Sequence, residues 1–345
     1  MMMQMSISPL RSRVDASPNR VPLPMGPIDV TWRPLTVADA SQVHALRGRA
    51  GIIDHPSVVI SIDETNNDLT REELDIEQDT LGAVAPHGTL VAYGIVVRPS
   101  TAETVVRVGL DGQVDPRWRN MGLGRRLLAW QQARGEQILA THDEPLPGWL
   151  TSTANETSTQ TIRLLQHGGF NVRRWWLELR RGLRHPINAT VLDPAFRITP
   201  YAKTHADQVR DASNEAFRDH WGSQPASRTD WNTYDNLTIA RHDLSFIAWE
   251  ANEVAAFLTT TVNPEEFEQL GFTFGYIELL GTRPHYRGHG IARALLTHAL
   301  TAYRAAGLTH AMLDVDSDSP TGAVALYESV GFHTHNRSLT LVRQY

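Results

Sequence analysis

Residues 287–292 read Arg-Gly-His-Gly-Ile-Ala, and residues 119–124 read Arg-Asn-Met-Gly-Leu-Gly. Each stretch follows a Pro-x-aromatic turn, at 116–118 and at 284–286, and each opens an amphipathic helical run. A Gly-Phe pair comes later in both halves, at positions 169–170 and 331–332. Because turn, loop, helix and Gly-Phe pair occur twice in the same order, the chain is an internal duplication.

Length and composition indicate a folded protein of two domains. A single core seldom extends through 345 residues. The chain has no cysteine, which excludes disulfides, thiolate metal sites and a cysteine nucleophile. A net charge of −6 argues against nucleic acid as a partner. No apolar run reaches membrane-spanning length, so we expect no membrane partner and a cytoplasmic protein.

The duplication divides the chain into four segments. Residues 1–27 contain several Met, Ser and Pro without a continuous apolar run, so we interpret them as a flexible arm. Residues 28–182 form the first domain and residues 196–345 the second, because each opens on a strand followed by a helical stretch. Residues 183–195 are a short linker between them.

The same elements are predicted in both halves. In the second half we expect strands at 245–250, 254–261, 276–282, 311–315 and 339–342, and helices from 291 and over 321–330. The first helix should bury Ile291, Leu295, Ala299 and Tyr303 on one face. In the first half we expect strands at 90–97, 105–114, 149–151 and 172–179, and helices from 122 and over 159–166. Each half is therefore predicted to be an α/β mixed sheet with helices on both faces.

The repeated loop has a clear physical use. A strand that ends in a glycine-containing loop and leads into a helix presents free backbone N–H groups to an anion. Glycine lets a pyrophosphate approach the backbone where a Cβ would clash. Arg119 and Arg287 add positive charge at the edge of each loop. Each half is therefore predicted to hold a phosphorylated cofactor.

These features together resemble the GCN5-related N-acetyltransferases (GNAT). The loop between strand and helix carries the resemblance, and residues 316–332, which end in Tyr-x-x-x-Gly-Phe, match the family's last motif. Two fused copies are similar in layout to mycothiol synthase and to tandem acetyltransferases of antibiotic biosynthesis. The resemblance implies two tandem acyl-CoA N-acyltransferase folds with acetyl-CoA as co-substrate. We expect no metal, because the histidines show no zinc-ligand spacing.

The resemblance also implies where acetyl-CoA binds. In the second half, the pyrophosphate would lie on the loop and the pantetheine arm along the preceding strand, which gives Leu280, Gly281, Thr282, Arg287, Gly288, His289, Gly290, Ile291 and Ala292. The counterparts in the first half are Gly112, Gln113, Val114, Arg119, Asn120, Met121, Gly122, Leu123 and Gly124.

The two halves differ at the position of the catalytic acid. In the family, a tyrosine of the last motif supplies the proton for the departing thiolate, and Tyr327 occupies that position. Its alternative role is a packed aromatic with its hydroxyl at the surface. Aligning the two Gly-Phe pairs places Leu165 opposite Tyr327, and leucine cannot donate a proton. Catalysis is therefore expected in the second half.

The catalytic base has several candidates. Glu278 lies between the apolar residues Ile277 and Leu279, where desolvation would give a carboxylate base character. It could equally be a polar residue on the exposed face of a half-buried strand. Aligning the loops places Leu110 opposite Glu278, and the glutamate of mycothiol synthase falls at Tyr276. A bound water relayed to solvent could replace any side-chain base.

Several residues are candidates for acceptor binding. His220 could orient a substrate and Trp221 could form an apolar wall, because in the family this stretch borders the acceptor groove. A histidine favoured by a helix C-terminus is the alternative for His220. Asp314, Asp316 and Asp318 alternate along a strand and its exit. They either attract a cationic amine or form a solvated acidic turn.

The sequence therefore predicts an acyl-CoA-dependent N-acetyltransferase that acts on a small-molecule amine. The first half either binds CoA without turnover or serves as a scaffold. A non-catalytic acyl-CoA-binding module, a longer acyl donor and a hydroxyl acceptor stay open as alternatives. A monomer is favoured over a dimer, because two fused halves mimic the dimer of single-domain relatives.

Overall fold

The computed structural model of this chain describes residues 8–17, 19–26, 29–56, 58–98 and 101–345. The chain forms two compact units. Unit 1 comprises the described residues of 1–173 together with Leu339–Tyr345, and unit 2 comprises Arg174–Ser338. Within the described ranges, no helix combines the length and the apolar character needed to cross a membrane.

The helices and strands of unit 1 follow one another in the predicted order. They are β1 (Thr31–Arg33), α1 (Ala40–Asp54), α2 (Ile62–Thr70), α3 (Ile76–Asp79), β2 (Thr80–Val84), β3 (Leu90–Val97), β4 (Val106–Val114), α4 (Leu123–Leu139), β5 (Gly148–Asn155) and α5 (Thr159–His167).

Unit 2 repeats much of this order. Its elements are β6 (Asn171–Gly182), β7 (Phe196–Pro200), α6 (Ala206–Ala216), α7 (Arg228–Asp235), β8 (Phe246–Glu250), β9 (Glu253–Thr261), α8 (Glu265–Leu270), β10 (Phe274–Thr282), α9 (Ile291–Ala305), β11 (His310–Asp316), α10 (Ala323–Ser329) and β12 (His333–Gln344). The first residues of β6 and the last residues of β12 belong to unit 1.

Unit 1 is a mixed sheet covered by helices on both faces. Strands β1 to β4 pair antiparallel in chain order, and β4 pairs parallel with β5. On one face, Leu127 and Ile138 of α4 pack on the sheet, and on the other Val43 and Leu46 of α1 do so. Alternating strand residues thus reach two separate cores.

Unit 2 has the same layering. Strands β7 to β10 pair antiparallel in chain order, β10 pairs parallel with β11, and β11 pairs antiparallel with β6. Leu295 and Leu300 of α9 pack on one face, and Val209 of α6 with Trp231 of α7 pack on the other. The predicted mixed α/β sheet with helices on both faces is confirmed.

The helical face predicted after the second loop is correct. Ile291, Leu295, Ala299 and Tyr303 are between 0 and 1% exposed, because residues spaced by four lie on one side of α9. The sequence analysis missed α7, although Ser227 and Asp230 form a capping box at its start. It also missed α2, α3 and α8, which are short and largely polar.

The two units do not end where the sequence predicted the domain boundaries. We expected domains at 28–182 and 196–345, but β6 from Arg174 onward belongs to unit 2 and Leu339–Tyr345 belongs to unit 1. In unit 1, Tyr345 exchanges backbone hydrogen bonds of 2.8 and 3.3 Å with Gly148 of β5. Unit 1 therefore includes the end of β12 from the second half of the sequence. Unit 2 includes most of β6, which was predicted for the first domain.

Part of the arm predicted for residues 1–27 packs against unit 1. Leu10 is 0% exposed and Val14 is 6% exposed, and both lie in the core of unit 1. The Arg13 guanidinium donates to the Tyr345 carbonyl at 2.7 Å. Residues 1–7, 18 and 27 of the predicted arm lie outside the described residues. Two buried apolar side chains explain why 8–17 are held.

Truncating Leu341 to alanine is expected to destabilise unit 1 by about 2–5 kcal/mol, as for other fully buried leucines. Leu341 is 0% exposed and packs in the core of that unit. Amide hydrogen exchange should speed up along β5. The matched control is Arg337→Ala, an exposed position on the same strand. Faster exchange confined to residues 174–338 would contradict the assignment of Leu341 to unit 1.

Candidate active site

The loop of unit 2 has the geometry of an anion site. Gly288 and Gly290 have φ angles of +86° and +74°, and a Cβ at either position would have nothing within 4 Å. The first helical hydrogen bond of α9 runs from the Ala294 N–H to the Gly290 carbonyl, at 3.1 Å. The N–H groups of Ile291 and Ala292 precede that bond, so they have no acceptor within the helix and are available at its N-terminus.

Arg287 fixes the loop rather than lying free at its edge. Its guanidinium donates to both carboxylate oxygens of Asp219, at 2.7 and 3.2 Å, and to the Ala216 carbonyl at 2.8 Å. Its hydrogen bonds hold the pKa of the Asp219 carboxyl below its usual value. The positive charge of Arg287, which was expected to attract the cofactor, is therefore largely neutralised by Asp219. Arg287 instead ties the loop to the end of α6.

Unit 1 repeats this arrangement. Asn120 and Gly122 have left-handed φ angles of +63° and +86°, and α4 begins at Leu123. Arg119 donates to Asp54 at 2.7 and 3.0 Å, as Arg287 does to Asp219. The sequence analysis missed both aspartates. The shared position, at or just after the end of the first long helix in each half, was the signal that could have identified them.

The two loops differ in how open they are. A Cβ at Gly122 would lie 2.7 Å from Nη1 of Arg126, which donates to the Gly122 carbonyl at 3.3 Å. Nε of the same arginine donates to the Met25 carbonyl at 3.0 Å. Aligning the loops places Ala294 of unit 2 opposite Arg126. The Arg126 guanidinium, held by the Met25 carbonyl, therefore lies beside the first loop, and alanine stands at the equivalent position of the second.

The strand that leads into the loop of unit 2 separates from its parallel neighbour before it reaches the loop. Parallel pairing of β10 with β11 covers Phe274, Gly275 and Tyr276 and then stops. The antiparallel pairing of β10 with β9 shifts register between Ile277 and Leu279, which makes Glu278 a β-bulge. The edge of β10 from Glu278 to Thr282 is thus left without a partner in β11. An extended pantetheine arm fits such an edge.

The residues predicted along this edge differ in what they offer. The Thr282 hydroxyl is buried and has no hydrogen-bonding partner among the described residues, so it is available to form a hydrogen bond with a bound pantetheine arm. A Cβ at Gly281 would lie 2.5 Å from the Phe257 ring, so this glycine is required for packing. Gly112 in unit 1 is required likewise, because a Cβ there would lie 2.6 Å from the Tyr93 carbonyl.

The expectation that Glu278 is desolvated is wrong. Ile277 and Leu280 pack into the core on the α9 side, but Glu278 itself is exposed. The bulge displaces it from the regular alternation of the strand, which is why flanking apolar residues do not bury it. Unit 1 has no bulge at the equivalent Leu110, since β3 and β4 pair without a register shift.

Tyr327 and Leu165 occupy the equivalent positions that the alignment predicted. The N–H of Phe332 donates to the Tyr327 carbonyl, and that of Phe170 donates to the Leu165 carbonyl, both at 3.1 Å. Tyr327 is 7% exposed, and its hydroxyl makes no hydrogen bond within the described part of the chain. Burial raises the pKa of Tyr327, so its hydroxyl keeps the proton at neutral pH. It is available as an acid.

His220 and Trp221 lie against the start of β6. The His220 ring is 5.8 Å from the ring of Trp176, and the Arg174 guanidinium is 4.9 Å from the ring of Trp221. Trp176 pairs with Asp316 across β6 and β11. Asp316 is 2% exposed and forms an ion pair with Arg174 at 3.4 Å, so it is a structural carboxylate.

Comparison with known proteins identifies the family. Residues 206–332 match the acetyltransferase (GNAT) family. A mycothiol acetyltransferase of Streptomyces avermitilis is 38% identical over 229 residues, which are 66% of this chain and 68% of that protein. One from Streptomyces coelicolor is 30% identical over 260 residues, 73% of this chain and 75% of that protein. The chain belongs to the GNAT family.

Solved structures show the same fold. The alignment with a GCN5-related N-acetyltransferase from Sphaerobacter thermophilus covers 93% of this chain and 97% of that one, with a TM-score of 0.69 and 24% identity. A tandem GNAT protein of the clavulanic acid pathway covers 91% and 98%, with a TM-score of 0.66 and 14% identity. The chain is a tandem GNAT protein and an acyl-CoA-dependent acetyltransferase. Within the family it is similar to the mycothiol acetyltransferases.

Proposed function

We propose that unit 2 transfers an acetyl group from acetyl-CoA to the primary amine of a small molecule in the cytoplasm. The observation that carries this proposal is the divergence of β10 and β11 beside an open glycine loop. The amides of residues 288–292 would hold the pyrophosphate, and the edge from Leu280 to Thr282 would hold the pantetheine arm. Tyr327 would supply the proton that the thiolate leaving group needs.

Unit 1 is proposed to be a scaffold. Leu165 replaces the catalytic tyrosine, and Arg126 crowds the loop at Gly122. Its loop keeps the left-handed backbone of the second loop at Asn120 and Gly122, as expected for a duplicated domain whose fold persists after its chemistry is lost. A cofactor role was predicted for residues 112–114 and 119–124. The proposal is instead that they bind no acetyl-CoA, which calorimetry on loop variants tests.

The acceptor is proposed to be a small cationic amine. The relatives with 30–38% identity are named as acetyltransferases of mycothiol, so the deacetylated form of mycothiol belongs among the first compounds to test. Tyr276 occupies the position at which the glutamate of mycothiol synthase aligns, and this difference separates the chain from that pattern. For this reason aminosugars and polyamines are equally strong candidates.

Release of CoA in the presence of an amine panel tests the proposal. The chain has no cysteine, so a thiol reagent reads the CoA thiol without background from the protein. The panel is glucosamine, spermidine, a peptide with a free N-terminus and the deacetylated form of mycothiol, the last followed by mass spectrometry because it carries its own thiol. Acetylation of one amine supports the proposal. Tight acetyl-CoA binding without turnover of any amine would favour a non-catalytic binding module.

A further inference from the structure

Tyr276 and Asp314 lie where β10 and β11 separate. Tyr276 pairs with Met312 at the last position of the parallel ladder. Asp314 follows two residues after Met312, so its side chain lies on the same face of the sheet as that of Tyr276. The Tyr276 hydroxyl is near enough to the Asp314 carboxylate to lower its pKa. A tyrosine and a carboxylate thus lie together at the point where the pairing of the two strands ends and the gap between them begins.

Other acidic groups surround this pair. Glu178 of β6 lies directly opposite Asp314 in the antiparallel register, and it is 7% exposed. The Tyr276 hydroxyl interacts electrostatically with Asp314, Glu278 and Glu178. Tyr234 of α7 interacts with Glu278 and lies 3.4 Å from the Thr259 hydroxyl. The gap between the strands therefore ends in a recess of negative charge that favours a cationic ligand.

The environment also adjusts the carboxylate for proton transfer. The Asp314 side chain is exposed to solvent, as that of Glu278 is, but the protein packed around its carboxylate raises its pKa to about 6, and the Tyr276 hydroxyl opposes that rise. A general base works best when its pKa is near the operating pH. Burial and the neighbouring carboxylates keep the pKa of Tyr276 well above its usual value, so this hydroxyl keeps its proton beside Asp314.

We propose that Asp314, oriented by Tyr276, is the base that removes the proton from the acceptor amine of unit 2. The inference rests on the proposed function. It assigns the base to β11, whereas the base predicted from the sequence, Glu278, and the position at which the mycothiol synthase glutamate aligns, Tyr276, both lie on β10. Glu278 and Glu178 then contribute charge that draws a cationic amine into the recess.

The reaction balances with these groups. The amine arrives as an ammonium ion, and Asp314 takes one proton and later releases it to water. The free nitrogen forms a bond to the thioester carbon, and the bond between that carbon and sulfur breaks. The thiolate receives the Tyr327 proton, and Tyr327 is restored by the second proton that nitrogen loses. The products are the N-acetyl amine and CoA thiol.

The pH dependence of kcat/KM with spermidine tests this role. In the parent protein, activity should fall on the acid side as Asp314 becomes protonated. Asp314→Asn should lose about 10²-fold or more near pH 7, as expected for removal of a general base. This loss should become smaller as the pH is raised toward the pKa of the amine, because the amine is then already free and needs no base. Tyr276→Phe should move the acid limb to higher pH, since Tyr276 holds the Asp314 pKa down.

Glu278→Gln and Asp318→Asn are the controls. Asp318 is exposed at the exit of the same strand, and its substitution should leave the acid limb unchanged. Glu278→Gln should raise the KM for spermidine, and the fall of activity at acid pH should remain. The inference is overturned if the limb persists in Asp314→Asn and disappears in Glu278→Gln, which would make Glu278 the base.

A second measurement does not depend on turnover. Carbon NMR of protein labelled in its aspartate carboxyls, compared with Asp314→Asn, isolates the Asp314 titration. We expect a midpoint near 6 that decreases when spermidine is added. A midpoint near the ordinary value of about 4, insensitive to spermidine, would refute the inference. If the parent acetylates no amine, the proposed function fails, and this titration still decides whether Asp314 is a proton acceptor that senses a cation.

Discussion

Replacing Tyr327 with phenylalanine is expected to lower kcat by about 10²-fold or more while the affinity for acetyl-CoA stays unchanged. The substitution removes one hydroxyl that has no partner among the described residues, so little packing or hydrogen bonding is lost. General acid catalysis typically contributes 10²–10⁴-fold, which sets the size of the effect. Steady-state kinetics with the best amine of the panel gives kcat, and calorimetry gives the affinity.

Tyr345→Phe is the matched control, because it removes another tyrosine hydroxyl, which donates to Glu136 at 2.6 Å in unit 1. Its kcat should equal that of the parent. An unchanged kcat in Tyr327→Phe would remove Tyr327 from the mechanism and leave protonation of the thiolate to water. A loss of acetyl-CoA affinity would instead indicate that Tyr327 shapes the binding site.

Gly290→Glu is expected to abolish acetyl-CoA binding. The glutamate carboxylate would occupy the open space over the loop and repel the pyrophosphate. A residue other than glycine is also strained at a φ of +74°, which would distort the first turn of α9. Calorimetry should show one bound equivalent of acetyl-CoA in the parent and none in this variant.

Gly122→Glu is the matched control in unit 1, because its φ of +86° imposes a comparable strain. It should bind one equivalent, like the parent, since Arg126 already crowds that loop. Two equivalents in the parent, with one lost in each variant, would contradict the scaffold role and make unit 1 a second cofactor site.

Local patterns explain why much of the fold was predictable. The repeated Gly-Phe pair fixes a turn whose geometry is the same in both halves, so the alignment correctly placed Leu165 at the position of Tyr327. Spacing by four residues placed four side chains of α9 in the core. These signals act within a few residues of the chain, and tertiary contacts need not be known to use them.

Predictions that depended on a residue's surroundings were less successful. Glu278 sits between apolar neighbours, yet a β-bulge exposes it. Arg287 was expected to face the cofactor, but Asp219 holds its guanidinium. Neither outcome follows from adjacent residues, because a bulge depends on the register with another strand and the ion pair depends on a residue 68 positions away.

The sequence by itself determined the duplication, the layered α/β fold of each half, the glycine loops and the half that keeps Tyr327. Each of these follows from short-range geometry that a residue pattern imposes on its own segment. The tertiary structure decided where the units begin and end, which loop is open, and which carboxylate lies where β10 and β11 separate. Asp314 meets Tyr276 only because two strands distant in sequence pair for three residues and then part.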